Sequence, residues 1–416
     1  MERSKTSRYA LMVLLLFSIS GKGQSTSGKD LDYFIHQGLT ASPVLNDYKN
    51  QQLSNRIDSL RWRASYRPQV TASSTGLYAP VVKGYGYDQA LSNGQTLEAL
   101  LTVNYMLIGK GRINQQQHQL KIHSDSIKYA ASWSVLDLKK NITDQYLNAY
   151  ASQEQMLFNA EVYELLRKEE VVLKKLTRAN TYKQSEYLTF LVTFQQQRLS
   201  WKQAEMQFNS DYAMLNYLCG IIDTAVNPIK APDMSPAIPV GGSFFTTRYK
   251  LDSLKNENDK IGVALNYKPK ASIYVNGGYN SSFLLQPYKN FGTSAGFTLS
   301  IPIYDGHQKT MQLQQLNIQQ ETGMAYQAFF IRQHQQQVRL LLQQIKENQD
   351  LYPQLNEQIR FAKSLIEVDS RLLHTGDLKI ADYIIAINNY LAAKNLLRQT
   401  YINGFKLINQ FNYWNR

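Results

Sequence analysis

Between Gly292 and Ile303 the chain alternates strictly. Thr293, Ala295, Phe297, Leu299, Ile301 and Ile303 fall on one side, and Gly292, Ser294, Gly296, Thr298, Ser300 and Pro302 on the other. A period of two with one apolar side marks a β-strand. After Asp305-Gly306 the pattern lengthens into a Gln-rich tract with the spacing of a long helix. A tilted strand crosses a bilayer in about nine to eleven residues, so this strand is long enough to span. Few folds feed a strand of that length straight into a long helix.

The chain also matches itself at an offset of 196. Leu120 and Ile122 fall on Leu316 and Ile318, Val172 on Val368, and Leu176 on Leu372. Glu186-Tyr187-Leu188 falls on Asp382-Tyr383-Ile384, and Leu215-Asn216-Tyr217-Leu218 on Phe411-Asn412-Tyr413-Trp414. Two generic amphipathic helices would not hold one register through both a turn and a helix end. A tandem duplication does, with Pro228, Pro232, Pro236 and Pro239 marking the join. The expected organisation is residues 1–23 as a signal, 24–225 as the first repeat, 226–242 as a Pro-rich linker and 243–416 as the second repeat.

Arg3, Lys5 and Arg8 precede an apolar run from Ala10 to Ile19, and Ser20, Gly21 and Gly23 follow. This order reads as a secretory signal cut near Gly23, too short to span as a helix. No Cys follows it, which argues against a lipid-anchored start. Cys219 is the only Cys, so packing or oligomerisation must replace internal disulfides. The 28 Tyr suit the aromatic girdles of a barrel. The formal charge of +13 falls to +10 once residues 1–23, with four Lys/Arg and one Glu, are set aside. Basic charge favours acidic partners or phosphate headgroups. The export signal and the absence of a concentrated basic run argue against nucleic acid.

Taken in order, Asp30–Trp62 reads as a helix that Pro43 kinks or breaks. Weak alternation from Val70 to Tyr78 and clearer alternation from Leu97 to Leu107 predict two strands around a Gly- and Tyr-rich loop. The second half predicts strands at Lys270–Tyr279 and Gly292–Ile303 around the loop 280–290. Lys110 to Thr177 is one helical tract, about 100 Å long at 1.5 Å per residue. Ile113, Leu120 and Ile127, and then Val135, Ile142, Ala149, Met156 and Tyr163, recur at seven and form a coiled-coil seam. A turn near 178–184 leads to a return helix, Ser185–Leu218. The second half repeats this with His307–Leu373, a turn at 374–377, and Lys379–Trp414. Pro353 is expected to kink the second long helix. A short helix is expected near Phe244–Leu265. The two short helices of the first half are expected to lie end to end beside the long one.

Four strands cannot close a barrel, since eight is about the practical minimum. A lipid-facing sheet needs closure, because an open edge in hydrocarbon leaves backbone groups unpaired. Three chains would supply twelve strands. The fold class read from the residues is an α+β membrane protein with four strands and long coiled-coil helices per chain, with a trimer as the economical assembly.

Four motifs then carry a resemblance. Gly38-Leu39-Thr40-Ala41-Ser42-Pro43-Val44-Leu45 is similar to the N-terminal signature of TolC-like outer-membrane efflux proteins, which have Asn-Pro where this chain has Ser-Pro. Ile301-Pro302-Ile303-Tyr304-Asp305-Gly306 resembles that family's strand-to-helix signature, Pro-Leu-Phe-Asp-Gly-Gly. Met106-Leu107-Ile108-Gly109-Lys110-Gly111-Arg112 is a degenerate first copy, and His374-Thr375-Gly376 followed by Asp382 resembles the periplasmic turn. The resemblance implies a homotrimer with a twelve-stranded outer-membrane barrel continuous with a periplasmic helical barrel. It also implies docking to a periplasmic adaptor protein and an inner-membrane pump. The function implied is a passive exit duct for drugs, metal ions or polypeptides. A periplasmic coiled-coil scaffold without a pore is the alternative, and it leaves the four alternating segments unexplained.

The resemblance also selects residues. Asp382, six residues after Gly376, stands where the family carries an acidic ring at the tunnel entrance, and such rings set cation selectivity. The second acid that often follows three positions later is Ile385 here, which thins the ring. Glu186 is the equivalent of Asp382 in the first repeat. Both also fit ordinary helix-start carboxylates. Arg178, Asn180, Lys183, Thr375, Gly376, Asp377 and Lys379 lie in the two turns and are the adaptor-docking candidates. No enzyme is expected. His118 and His123 are five apart, wrong for two ligands on one helix face. Gly84-Tyr85-Gly86 and Gly109-Lys110-Gly111 lack the phosphate-loop signature. No cofactor or metal is therefore expected. The Gln tracts at 115–117, 195–197 and 335–337 read as polar helix faces.

Overall fold

A computed structural model describes residues 29–88, 90, 94–238, 244–282 and 289–416. The expected signal segment, Pro239 and most of the second inter-strand loop lie outside them. Among the described residues the elements run α1 (Leu31–Ala41), α2 (Pro43–Ser65), β1 (Gln69–Tyr78), β2 (Gln95–Leu107), α3 (Lys110–Arg178) and α4 (Gln184–Leu218). Then come α5 (Thr247–Asn266), β3 (Lys270–Ser281), β4 (Phe291–Ser300), α6 (Gln308–Thr375) and α7 (Ile380–Trp414). Among the described residues no helix is long and apolar enough to cross a membrane.

Ser42 separates α1 from α2. A residue before proline is pushed out of the α region. Ser42 adopts ψ 116°, and its Oγ accepts a hydrogen bond from the Leu45 N–H at 3.4 Å. The expected interruption is thus a break with a cap. Pro353 lies inside α6 without ending it. β4 stops at Ser300, three residues short of the predicted Ile303, because Pro302 has no N–H to give a ladder. Beyond it Asp305 accepts from the backbone N–H groups of His307 (2.9 Å) and Lys309 (2.8 Å) and starts α6. Those bonds, Lys309's first, hold the Asp305 carboxyl below its usual range.

The four strands form one antiparallel sheet in the order β1-β2-β3-β4. Directly opposed residues in an antiparallel pair share a face. Val70 opposes Val103, Val103 opposes Val275, and Val275 opposes Ala295. The next paired row holds Tyr105, Ile273 and Phe297. One face is therefore apolar across the sheet, and its Phe297 is 78% exposed. The other face carries Thr71, Thr102, Asn276 and Ser294 in one row. Among the described residues no strand pairs with the outer edges of β1 and β4.

The chain divides into two compact units, and each draws residues from both halves of the sequence. The first comprises 29–38, Ile142–Asp233 and Asn356–Ile402. Its core joins Phe158, Val162, Leu166 and Leu173 of α3 to Phe190 of α4, Ile366 and Leu373 of α6, and Ile380, Tyr383 and Ile387 of α7. Elsewhere in this unit Phe34 packs against the rings of Tyr146 and Tyr212. Gln153 brackets Ile229 with two backbone hydrogen bonds of 2.8 Å.

The second unit comprises Leu39–Asn141, Met234–Leu355 and Asn403–Arg416. Here Asn55 of α2 donates to the Leu120 carbonyl at 3.2 Å, and Asn256 of α5 donates to the Leu316 carbonyl at 2.9 Å. Leu120 and Leu316 are 196 apart, whereas Asn55 and Asn256 are 201 apart. Tyr66-Arg67-Pro68 recurs as Tyr267-Lys268-Pro269 at that second offset. An aromatic cluster around the buried Phe245 gathers Trp133, Phe330, Tyr413 and Trp414. Within it Tyr413 donates to Asp137 at 2.6 Å, and burial followed by that bond pushes its phenol up to about 12.

Candidate functional site

Two helix–helix turns meet in the first unit: 179–183 between α3 and α4, and 376–379 between α6 and α7. Both long helices end in the same way. The Thr181 N–H reaches the Leu176 carbonyl at 3.0 Å, and the Asp377 N–H reaches the Leu372 carbonyl at 3.0 Å. Such closures need a left-handed residue just after the helix. Asn180 supplies it at φ 61° and Gly376 at φ 85°. At Gly376 a side chain would also run into Thr181 Cγ2, so glycine lets the two turns approach. Tyr182 bolts them together. Its hydroxyl lies 2.8 Å from the carbonyls of both Leu373 and Leu378.

The sequence-selected residues divide by this geometry. Glu186 caps its helix, taking a 3.1 Å hydrogen bond from the Lys183 N–H. Asp382 sits in the first turn of α7 and is exposed. Thr375 donates to Asp377 at 2.6 Å, so these two fix the second turn. Arg178, Asn180, Lys183, Asp377 and Lys379 are all exposed. The structure brings the two turns together and leaves their charged side chains on its surface.

Below the turns lies a set of buried polar groups that sequence reasoning missed. Glu169 of α3, almost fully buried, accepts from Ser370 Oγ and pairs with His374 Nε2, each at 3.0 Å. Tyr187 donates to Glu170 at 2.5 Å, and burial followed by that bond pushes its phenol up to about 12. Tyr383, its counterpart 196 residues on, is sealed from solvent. Its hydroxyl lies against Glu169 but outside good hydrogen-bond geometry. Burial, then Glu169, pushes that phenol well above its ordinary value. Asp369 of α6 is also buried, held above the usual carboxylate range first by burial and then by the charge of Asp382. One sequence signal was available: Asp369 falls on the helix face that Ile366 and Leu373 mark as core.

Among the described residues no group of three His, Cys, Asp or Glu side chains is placed to hold a metal ion. Cys219 is buried at the C-terminal end of α4, and burial pushes its thiol up to about 11, away from nucleophilic use.

No family model matches the chain, and no curated protein does. Solved structures do match. A membrane protein from Pseudomonas aeruginosa aligns at TM-score 0.76 and 15% identity, over 92% of this chain and 90% of that one. The open state of the MtrE outer membrane channel from Neisseria gonorrhoeae aligns at 0.74 and 13%, over 92% and 88%. The outer-membrane channel OprN aligns at 0.73 and 15%, over 92% and 89%. At such identities the likeness is one of fold, and it runs nearly the whole length of both chains.

Proposed function

We propose that this chain, which shares its fold with solved outer-membrane channels, is itself a TolC-like exit duct. It conducts substrates passively from the periplasm to the exterior, in the cell outer membrane with a periplasmic extension. The apolar face that crosses all four strands carries this reading. A sheet with one such face and two open edges is stable in hydrocarbon only when closed. Three copies give a twelve-stranded barrel with the Thr, Asn and Ser face lining water.

The helices support the same assembly. On α6, Phe361, Leu365, Val368 and Leu372 follow one another at spacings of four, three and four and are 39–61% exposed. On α4, Leu188, Val192, Leu199 and Met206 form a second exposed stripe. Apolar stripes at helical spacing bury against other helices. Neighbouring copies supply them, and the helices close into a tunnel.

In this assembly three copies of Asp382 form a ring at the tunnel entrance, with Glu186 beside it at its helix start. Arg178, Asn180, Lys183, Thr375, Gly376, Asp377 and Lys379 present the docking surface for a periplasmic adaptor and an inner-membrane pump, which supplies the energy. The halves 24–225 and 243–416 descend from one duplicated unit. The lengths of 69 and 68 residues for α3 and α6, and of 35 for both α4 and α7, support that descent.

Planar bilayers test the duct. The purified protein is expected to form discrete cation-preferring conductances, and Asp382→Asn to weaken that preference. A protein that never conducts would sink the reading, and unchanged selectivity in Asp382→Asn would remove Asp382 from the pore.

A further inference from the structure

Within the second unit, the first half of the sequence serves as a control for the second. Helix α5 is joined to α6 as α2 is joined to α3, through Asn256 to Leu316 and Asn55 to Leu120. In the first half Gln52 adds a second tie. It donates to the Ser124 carbonyl at 2.9 Å and accepts from the Ser124 hydroxyl at 3.1 Å. Three residues on along α3, Ile127 is buried. At the offsets of 201 and 196, Ser253 replaces Gln52 and Gly323 replaces Ile127. Both exchanges run from large to small, and both small residues line a cleft of about 540 Å³ between α5 and α6. A Cβ built on Gly323 meets no atom within 4 Å. Glycine weakens a helix interior, and no described neighbour demands it here. What it provides is open space.

The same comparison runs the other way at the edge of the cleft. Tyr326 and Gln327 line it where the first half has Ala130 and Ala131. Gln319, Gly323 and Tyr326 follow at spacings of four and three, on one side of α6. Gln319 and Gln327 have no hydrogen-bond partner among the described residues. The charges in the lining cancel, with Arg248 and Lys255 balanced by Asp252 and Asp259. Arg248 and Asp252 also line a second cavity of about 450 Å³, which has Tyr129 and Trp133 in its wall.

Cavities of this size hold small ligands through aromatic surface and a few placed polar groups. A lining of no net charge favours a neutral ligand over an ion. Amides and carboxylates present two polar atoms side by side, which suits neighbouring hydroxyls. Tyrosine rings suit the C–H face of a sugar ring. We propose that the cleft between α5 and α6 binds a neutral oligosaccharide. Gln319 and Gln327 meet its hydroxyls, Tyr249 and Tyr326 its ring faces, and Gly323 leaves it room. The second cavity lets the ligand run past Arg248 and Asp252. Every residue involved belongs to one unit of the chain, so the binding does not depend on the duct.

The test is calorimetric titration of the full chain with chitotetraose and with maltotetraose, in a detergent that has no sugar headgroup. Saturable binding of at least one is expected. A preference for chitotetraose supports the site and points to an amino-sugar glycan of the envelope. Equal binding, or a preference for maltotetraose, supports it and points to a free oligosaccharide. Gly323→Ile, which restores the residue of the first half, is expected to weaken binding by about tenfold or more. Tyr326→Ala with Gln327→Ala is expected to weaken it by roughly tenfold, and judges the site should the isoleucine variant fold poorly. Gly323→Ala is expected to bind as the wild type does and to melt no lower. Absence of saturable binding of both sugars to the wild type overturns the proposal. So does full affinity in the Gly323→Ile protein or in the double alanine variant. If no sugar binds and Gly323→Ile lowers the particle mass, the cleft seats a neighbouring copy and the proposal fails.

Discussion

Asn180 and Gly376 occupy the same left-handed turn position, 196 residues apart, with different tolerance for change. Asn180 is exposed and open, whereas Gly376 is pressed against Thr181. Gly376→Ala is expected to cost about 1–2 kcal/mol from the backbone alone, with the clash added. Asn180→Gly is expected to be near neutral, and thermal unfolding of the two variants compares them. Asp305 is held low by backbone N–H groups, so its contribution is present above the unfolded value and lost as pH falls. Asp305→Ala is expected to flatten the loss of melting temperature in acid. The exposed turn residues were legible in the sequence because a Gly flanked by polar residues marks a helix stop. Glu169 was not, and Asp369 was marked only by its place between Ile366 and Leu373. A carboxylate on a long polar helix otherwise reads as solvated until its packing is seen.

At the scale of elements, strands and long helices were legible because their periods repeat many times. The return helix predicted from Ser185 begins at Gln184, and both end at Leu218. The short helix near Phe244–Leu265 was less distinct, and α5 shows why. Asn256 and Asn258 make polar contacts to Leu316, Gln119 and Gln115, so part of the face it turns to the long helices is polar. Its kinship with α2 was hidden by a change of offset from 196 to 201 between the long and the short helices. The strands make a direct prediction. Phe297→Arg lies on the apolar face and is expected to cost about 2–4 kcal/mol of membrane insertion. Thr298→Arg, one residue on and on the opposite face, is expected to insert normally. Flotation with lipid vesicles reads both, and equal behaviour would contradict a one-sided lipid contact. On α6, Leu365→Glu with Val368→Glu is expected to convert the assembly to single chains, read as a fall in particle mass.

At the scale of the molecule, one chain leaves its chemistry unfinished in two ways. Among the described residues its sheet has open edges beside an apolar face, and α4 and α6 carry exposed apolar stripes. The proposed trimer would answer both. Self-assembly is therefore the central claim, and the proposed acidic ring and tunnel depend on it. Strand number was legible from alternation alone, whereas the number of copies came from closure arithmetic and from resemblance. The most direct test is the mass of the protein extracted from outer membranes in mild detergent, after subtraction of bound detergent. A mass of three chains is predicted. A single chain, or a protein that washes from the membrane without detergent, would contradict the shared barrel and the duct with it.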